Sequence, residues 1–290
     1  MYSMGQSMMP KSYPGFTLEH DGPWVYYRNK TVEPFEGPAS TGLELPMAHL
    51  LSAQEEIASS YFSHVCKAVF DNKGSRLTTY LKRIDFKSPR DIIKQQLSQS
   101  RSIKAFEAEL LLQSLGFEVP TTLITGWRRQ FLFKDKFFTL SSALSDYEDL
   151  YITAKQVGEQ SSVQKRDFIK QLSTTIARMH QKNIGHGDLR PGNIMCKYTD
   201  TWHFSFIDNE RTRRHRKLPE KIRIKNLVQL NLLISSDISK TDRQRFFDNY
   251  STLCFGKTNK DLLKKVLKKT HKRLKIMLDK QKIEAADLWL

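Results

Sequence analysis

The segment His186-Gly187-Asp188-Leu189-Arg190-Pro191-Gly192-Asn193 constrains this chain more than any other. Two glycines and a proline within eight residues mark a loop, and the loop carries a carboxylate, Asp188, five residues ahead of a carboxamide, Asn193. Short strand-like runs follow at Ile194–Cys196 and His203–Ile207, and the second ends on Asp208, fifteen residues after Asn193. Taken singly, Asp188 and Asn193 could stabilise a turn and Asp208 could cap a strand. Loop, strand and second carboxylate together fit one geometry, in which oxygen-bearing side chains converge on one site.

Upstream of the loop the sequence reads as mainly strand-built. The opening, Met1 to about Leu51, is rich in Pro, Gly and aromatics and contains one strand-like run, Trp24–Arg28. Runs at His64–Phe70 and Arg76–Phe86 flank Asp71-Asn72-Lys73-Gly74-Ser75, whose Asn and Gly suit a tight hairpin. Ser100–Leu115 reads as a helix with Gly116 at its C-cap and Pro120 beyond. Thr121–Trp127 and Phe131–Leu140 complete a small sheet around a turn at Lys134-Asp135-Lys136. Past Leu144 helices dominate: Ser162–Lys182, where Phe168, Leu172, Ile176 and Met179 recur at helical spacing, then Ile224–Leu233, Lys240–Tyr250 and Lys260–Lys282. The expected fold class is therefore α+β.

Phosphoryl transfer asks for the residue types found here: a carboxylate near the acceptor hydroxyl, metal ligands on the nucleotide phosphates, and a cation to orient them. Asp188 suits the first role, Asn193 and Asp208 the second. Lys82 lies mid-way along the alternating run Leu77–Ile84, where a long cation can reach phosphates from a sheet. Its partner should be a helix glutamate. Glu107 shares a helix face with Ile103, Leu110, Leu111 and Ser114 and is preferred to Glu109. His186 reads as a hydrogen-bonding residue of the loop.

These residues resemble the protein-kinase-like superfamily, whose catalytic loop has the pattern H-R-D-L-x-x-x-N; the resemblance runs from about Tyr61 to Tyr250. It implies a two-lobed fold, with a small antiparallel-sheet lobe carrying one main helix over 56–145 and a larger, mainly helical lobe over 146–290. Residues 1–55 form an N-terminal extension, partly irregular. Gly187 in place of the Arg, and Arg190-Pro191-Gly192-Asn193, are similar to the small-molecule branch, which includes aminoglycoside and choline kinases. Ile207-Asp208-Asn209-Glu210-Arg211 replaces D-F-G and no A-P-E follows, so no peptide-docking activation segment is expected. Two positions depart from the superfamily: Ser59–His64 contains no glycine, and Tyr80 stands two residues before Lys82, where a small residue is usual. Within the branch the chain resembles the lipopolysaccharide core kinases (Kdo/WaaP family). The stretches that carry this are Tyr80–Arg83, Glu107–Pro120, Asn226-Leu227-Val228-Gln229-Leu230 and Thr241–Phe247 before Tyr250. The resemblance implies ATP and Mg2+ as cofactors and a sugar hydroxyl of the lipid-linked lipopolysaccharide inner core, heptose or Kdo, as acceptor. It also implies work at the cytoplasmic face of the bacterial inner membrane.

Composition bears on partners. Lys and Arg number 47 against 31 Asp and Glu, a net charge of +16, and such a surface attracts phosphates of any origin. No zinc-finger spacing, RNP-like strand or helix-turn-helix signature accompanies the charge, so nucleic acid is not the expected partner. A catalytically dead scaffold is disfavoured because every metal-site residue is kept. Arg211, Arg213 and Arg214 follow directly on Asp208 and, with Arg190, are candidates for binding phosphates or carboxylates of the saccharide. In Lys260–Lys282 an apolar stripe of Leu263, Val266, Leu267, Leu274, Met277 and Leu278 is surrounded by cations. It suits either packing on the large lobe or docking on anionic lipid. The 3 cysteines are too few and scattered for a disulfide framework, which points to a reducing compartment. Residues 1–14 lack the apolar core of a secretory signal, and Leu227–Ile234 is too short to span a bilayer, so peripheral membrane contact is expected.

Overall fold

A computed structural model describes residues 11–32, 55–59, 63–72, 75–85, 100–130, 133–233 and 238–280. The chain forms two compact units, one reaching to Phe106 and including Thr121–Ala143, the other made of Glu107–Pro120 and the residues from Leu144 onward.

The first unit is built on an antiparallel sheet. Its strands are β1 (Phe16–Asp21), β2 (Trp24–Asn29), β3 (Glu55–Ser59), β4 (Ser63–Asn72), β5 (Ser75–Asp85), β6 (Thr122–Gln130) and β7 (Phe133–Ser142). Their order is β1-β2-β6-β7-β5-β4-β3. The N-terminal hairpin β1–β2 thus joins the sheet through β6, with Tyr26 opposite Gly126. Alternating side chains build two apolar layers. Tyr26, Leu81, Ile124, Phe138 and Leu140 form one. Val25, Tyr27, Ile84, Trp127 and Phe137 form the other, with Ile103. Ile103 comes from helix α1 (Arg101–Ser114), whose Phe106 meets Phe16 edge-on at 4.7 Å. Asn72 pairs directly with Ser75 across β4 and β5; Lys73-Gly74, within the expected turn, lies outside the described residues. The turn expected at Lys134-Asp135-Lys136 is instead part of β7: Lys134 pairs with Arg129 and Lys136 with Arg128. The aromatic face of β6 accommodates the charge, with the Lys134 ammonium 4.4 Å from the Trp127 ring centroid.

The second unit is mainly helical. It contains α2 (Leu150–Gly158), α3 (Ser162–Gln181), α4 (Glu220–Leu230), α5 (Lys240–Phe255) and α6 (Lys260–Asp279), with the short strands β8 (Glu148–Asp149), β9 (Ile184–Gly185), β10 (Ile194–Tyr198), β11 (Trp202–Phe206) and β12 (Arg213–Arg214). Side chains cap four of these five helices, and α4 starts after Pro219 without one. Asp149 accepts from the backbone N–H groups of Tyr151 and Ile152. Ser161 and Gln164 close a capping box on α3, as Ser239 and Asp242 do on α5. Helix α5 continues past Tyr250 to Phe255 and stops at Gly256, whose φ of 75° is the left-handed conformation glycine favours.

The core of this unit joins Leu112, Phe117 and Val119 to the buried stripe of α3 and to Ile194, Phe204 and Phe206 of the β10–β11 hairpin, with Leu227, Phe247 and Val266 from the later helices. Helix α6 inserts Leu262, Val266, Thr270 and Leu274. Leu267, expected on that stripe, is exposed. The i, i+4 row starting at Leu262 is the one that faces the core, one residue away from a row through Leu263 and Leu267.

Candidate active site

The loop His186–Asn193 runs between β9 and β10 and closes with a 3-10 turn at Pro191–Asn193. His186 is fully buried. Its Nε2–H donates to the Ile207 carbonyl at 3.2 Å, and its Nδ1 accepts the Asp188 N–H at 3.3 Å, so these two partners specify one neutral tautomer. Burial lowers the imidazole pKa to about 4, against the raising effect of the Ile207 hydrogen bond and of the Asp188 and Asp208 carboxylates. The ring is therefore neutral near pH 7 and ties the loop to the residue before Asp208.

A second tie runs through Asn193. Its Nδ2 donates to the Asp188 carbonyl at 2.8 Å, and its own carbonyl accepts the Ile207 N–H at 3.1 Å. Asp208 follows at φ 61° and ψ 44°, a left-handed conformation that few non-glycine residues adopt. The 3-10 turn Asn209–Arg211 then folds the chain back over the loop. Gly187 permits this approach: a Cβ there would lie 2.1 Å from Cβ of Arg211 and 2.6 Å from its carbonyl oxygen.

Helix α4 holds the loop from beneath. Asn226 Oδ1 accepts the His186 N–H at 3.1 Å and its Nδ2 donates to the His186 carbonyl at 2.7 Å. One turn on, Gln229 Oε1 accepts the Leu189 N–H and its Nε2 donates to Asp188 Oδ1. Lys225 Nζ donates to the Gly187 carbonyl. Asn226 is held in turn by His180, whose Nε2 lies 3.2 Å from Oδ1 while Nδ1 faces the Tyr250 hydroxyl at 2.7 Å. Arg223 donates to the same hydroxyl. Burial takes the His180 pKa down to about 3, and the nearby Arg223 charge pushes the same way.

Asp188 and Asp208 face a common open depression of about 450 Å³ with Glu210, Arg190, Arg211, Lys225, Gln229 and Arg273. Arg190 grips Asp188 Oδ2 with Nη2 at 2.7 Å and Nε at 3.1 Å. Of the arginines considered for acceptor binding, Arg190 and Arg211 line this depression. Arg213 and Arg214 sit exposed on β12, paired with Gly185 and Ile184. Lys82 lies in the first unit, on β5 between Val65 and Thr139. Glu107 is half-buried on α1, whereas Glu109 is buried. Of the glycine-free stretch Ser59–His64, residues 60–62 fall outside the described residues.

Asn193 and Asp208 offer hard oxygen ligands of the kind a magnesium ion takes, one or two from the protein with the rest from phosphate and water. Asn193 Nδ2 is committed to the loop, so Oδ1 is the atom this side chain presents to a cation. Among the described residues no cluster of three or more His, Cys, Asp or Glu could hold a metal. A two-residue oxygen site is compatible with that.

A buried neutral histidine, a carboxylate loop pinned to a helix and a second carboxylate at a strand end define a protein-kinase-like fold. The structure resembles a solved structure described as WaaP in complex with acyl carrier protein, with a TM-score of 0.56 and 17% identity over 77% of this chain and 90% of that chain. The model of the lipopolysaccharide kinase (Kdo/WaaP) family matches residues 57–250, and the chain belongs to that family of phosphotransferases. No curated protein matches the sequence.

Gln229, Lys225 and Arg273 carried no assigned role in the sequence. Asn226 and Gln229, three residues apart within the apolar run of a helix, were the available signal: polar groups on a buried face must be hydrogen-bonded. Arg273 gave none, since it is one cation among many on α6.

Proposed function

We propose that this chain transfers the terminal phosphoryl group of ATP to a sugar hydroxyl, heptose or Kdo, of the lipopolysaccharide inner core. The observation that carries the reading is the shared depression: two carboxylates, Asp188 and Asp208, beside Arg190, Arg211, Lys225 and Arg273. Asp188 takes the proton of the acceptor hydroxyl as the new P–O bond forms, the bond to the bridging oxygen breaks and ADP leaves. Asn193 and Asp208 would hold magnesium, which when bound neutralises charge on the phosphate oxygens. Lys82 is the cation that orients the nucleotide phosphates in this reading. The guanidinium groups suit bidentate contact with phosphates or carboxylates of the saccharide; Arg190 and Arg211 lead, with Arg213 and Arg214 following on β12.

The acceptor is lipid-linked, and peripheral contact with the inner membrane's cytoplasmic face fits the outer side of α6. There Lys264, Lys268, Lys269, Lys272 and Lys275 are exposed together with Leu267 and Ile276. Each basic residue near an anionic surface contributes about 1 kcal/mol. Among the described residues no helix is long and apolar enough to cross a membrane.

Incubation with labelled ATP and magnesium tests the reading, using inner-core lipopolysaccharide, an aminoglycoside, choline and a generic protein as acceptors. Label should enter lipopolysaccharide and be lost in Asp188→Ala and Asp208→Ala. Label on protein alone, or wild-type turnover in either variant, would refute the assignment.

A further inference from the structure

The two oxygens of Asp188 are engaged in different ways. Oδ2 meets the Arg190 guanidinium, whose side chain is 54% exposed. Oδ1 meets Gln229 Nε2 at 2.7 Å, and Gln229 is 4% exposed. Which end of the Gln229 amide faces the carboxylate is fixed by its neighbours. The Leu189 N–H, at 3.2 Å, and Asn226 Nδ2, at 3.5 Å, are both donors and both point at Oε1. An amide nitrogen there would oppose two donors, so the nitrogen must face Asp188.

We infer that Gln229 is the positioning residue of the catalytic carboxylate. Its buried donor locks the rotation of Asp188 and holds Oδ1 against α4. Oδ2, whose partner is solvent-accessible and displaceable, is left as the oxygen that receives the acceptor proton. This role rests on the kinase reading above. A charge-assisted hydrogen bond from a buried amide is short and directional. The same amide also holds the main chain one residue on, at Leu189, so side chain and loop are set by one group. Asn226, anchored through His180 and Tyr250, fixes the turn of α4 from which Gln229 projects.

Gln229→Met and Gln229→Glu separate this role from mere loop support. Glutamate keeps the shape of glutamine and can still accept the Leu189 N–H, but its outer oxygen either repels Asp188 when ionised or competes with it for one proton, so the permanent donor is lost. Methionine fills the space and does neither. With inner-core lipopolysaccharide as acceptor, kcat should fall ~100-fold in Gln229→Met and further in Gln229→Glu, while KM for ATP stays within twofold and the thermal midpoint reports the fold. The reverse order, with Glu more active than Met, would show that holding Leu189 is what matters and overturn the proposal. Gln229→Glu carries the test alone if the Met variant does not fold: kcat within threefold of wild type in it also overturns the proposal. Absence of turnover in the wild-type chain would remove the kinase reading and this role with it, a failure distinct from an active enzyme with the wrong order of variants.

Discussion

Acidification below pH 6.5 should destabilise this protein through two side chains far from its surface. His180 and His186 are buried and neutral, with pKa values lowered from 6.5 to about 3 and about 4 by loss of hydration. Unfolding returns both to water, where they take up protons below pH 6.5, so the unfolded state binds more protons between that pH and the folded pKa. Stability is therefore fully present above pH 6.5 and falls as pH drops. Each group contributes about 1.4 kcal/mol per pH unit, so moving from pH 7 to pH 5 costs about 2 kcal/mol per histidine and about 4 kcal/mol for the pair. Against the roughly 5–15 kcal/mol that holds a native domain together, that is a large fraction. Urea unfolding followed by the circular dichroism of the helices, which lie mainly in the second unit, measures it. Above pH 5 ordinary carboxylates are already ionised and add little. Replacing His180 by Gln removes one titrating group and should halve the loss. A wild-type loss below about 1 kcal/mol, or an unchanged loss in His180→Gln, would refute the reasoning.

Gly187→Ala should lower stability by about 1–3 kcal/mol through forced displacement of the Arg211 backbone, read as a lower urea midpoint; an unchanged midpoint would mean the loop yields freely. Asn226→Ala leaves the His186 N–H and carbonyl and a His180 nitrogen without a partner, which at about 1–3 kcal/mol per stranded group should unfold the helical unit at a visibly lower temperature. Ser239→Ala removes the cap of α5 and should cost about 1 kcal/mol with kinase activity retained, measured by calorimetry and turnover together.

The loop His186–Asn193 was legible in the sequence from its two glycines and proline, and the structure brings its Asp188 to the same depression as Asp208. Long helices were legible from period: α3 was expected over Ser162–Lys182 and runs Ser162–Gln181. Helix α2 was not expected, since it is nine residues long and leaves Tyr151 and Ile152 exposed, blurring any apolar stripe. The hairpin β1–β2 was half seen: Trp24 to Tyr27 are buried on both faces of the sheet, so no alternation marked the strand as part of a larger sheet. Lys134–Lys136 looked like a turn because charge clusters usually sit outside strands, and only the aromatic cross-strand surface explains the exception. The Thr241–Phe247 stretch, a family marker in the sequence, works partly as scaffold. Asp242 closes the α5 cap, and Arg243 donates to Asn231 and to the Leu233 carbonyl at the end of α4. Roles of this kind depend on partners distant in sequence and cannot be read from either stretch alone.

The left-handed backbone of Asp208 limits which side chains this position can carry. At φ 61° a β-branched residue is strongly disfavoured, whereas Asn and Gly fit the same backbone with little or no strain. A descendant could therefore carry Asn or Gly at this position without backbone strain. One carrying Val or Ile would have to rebuild the turn Asn209–Arg211 as well. If Asp208 holds the metal as proposed, loss of the reaction is a single-residue step along a narrow set of side chains.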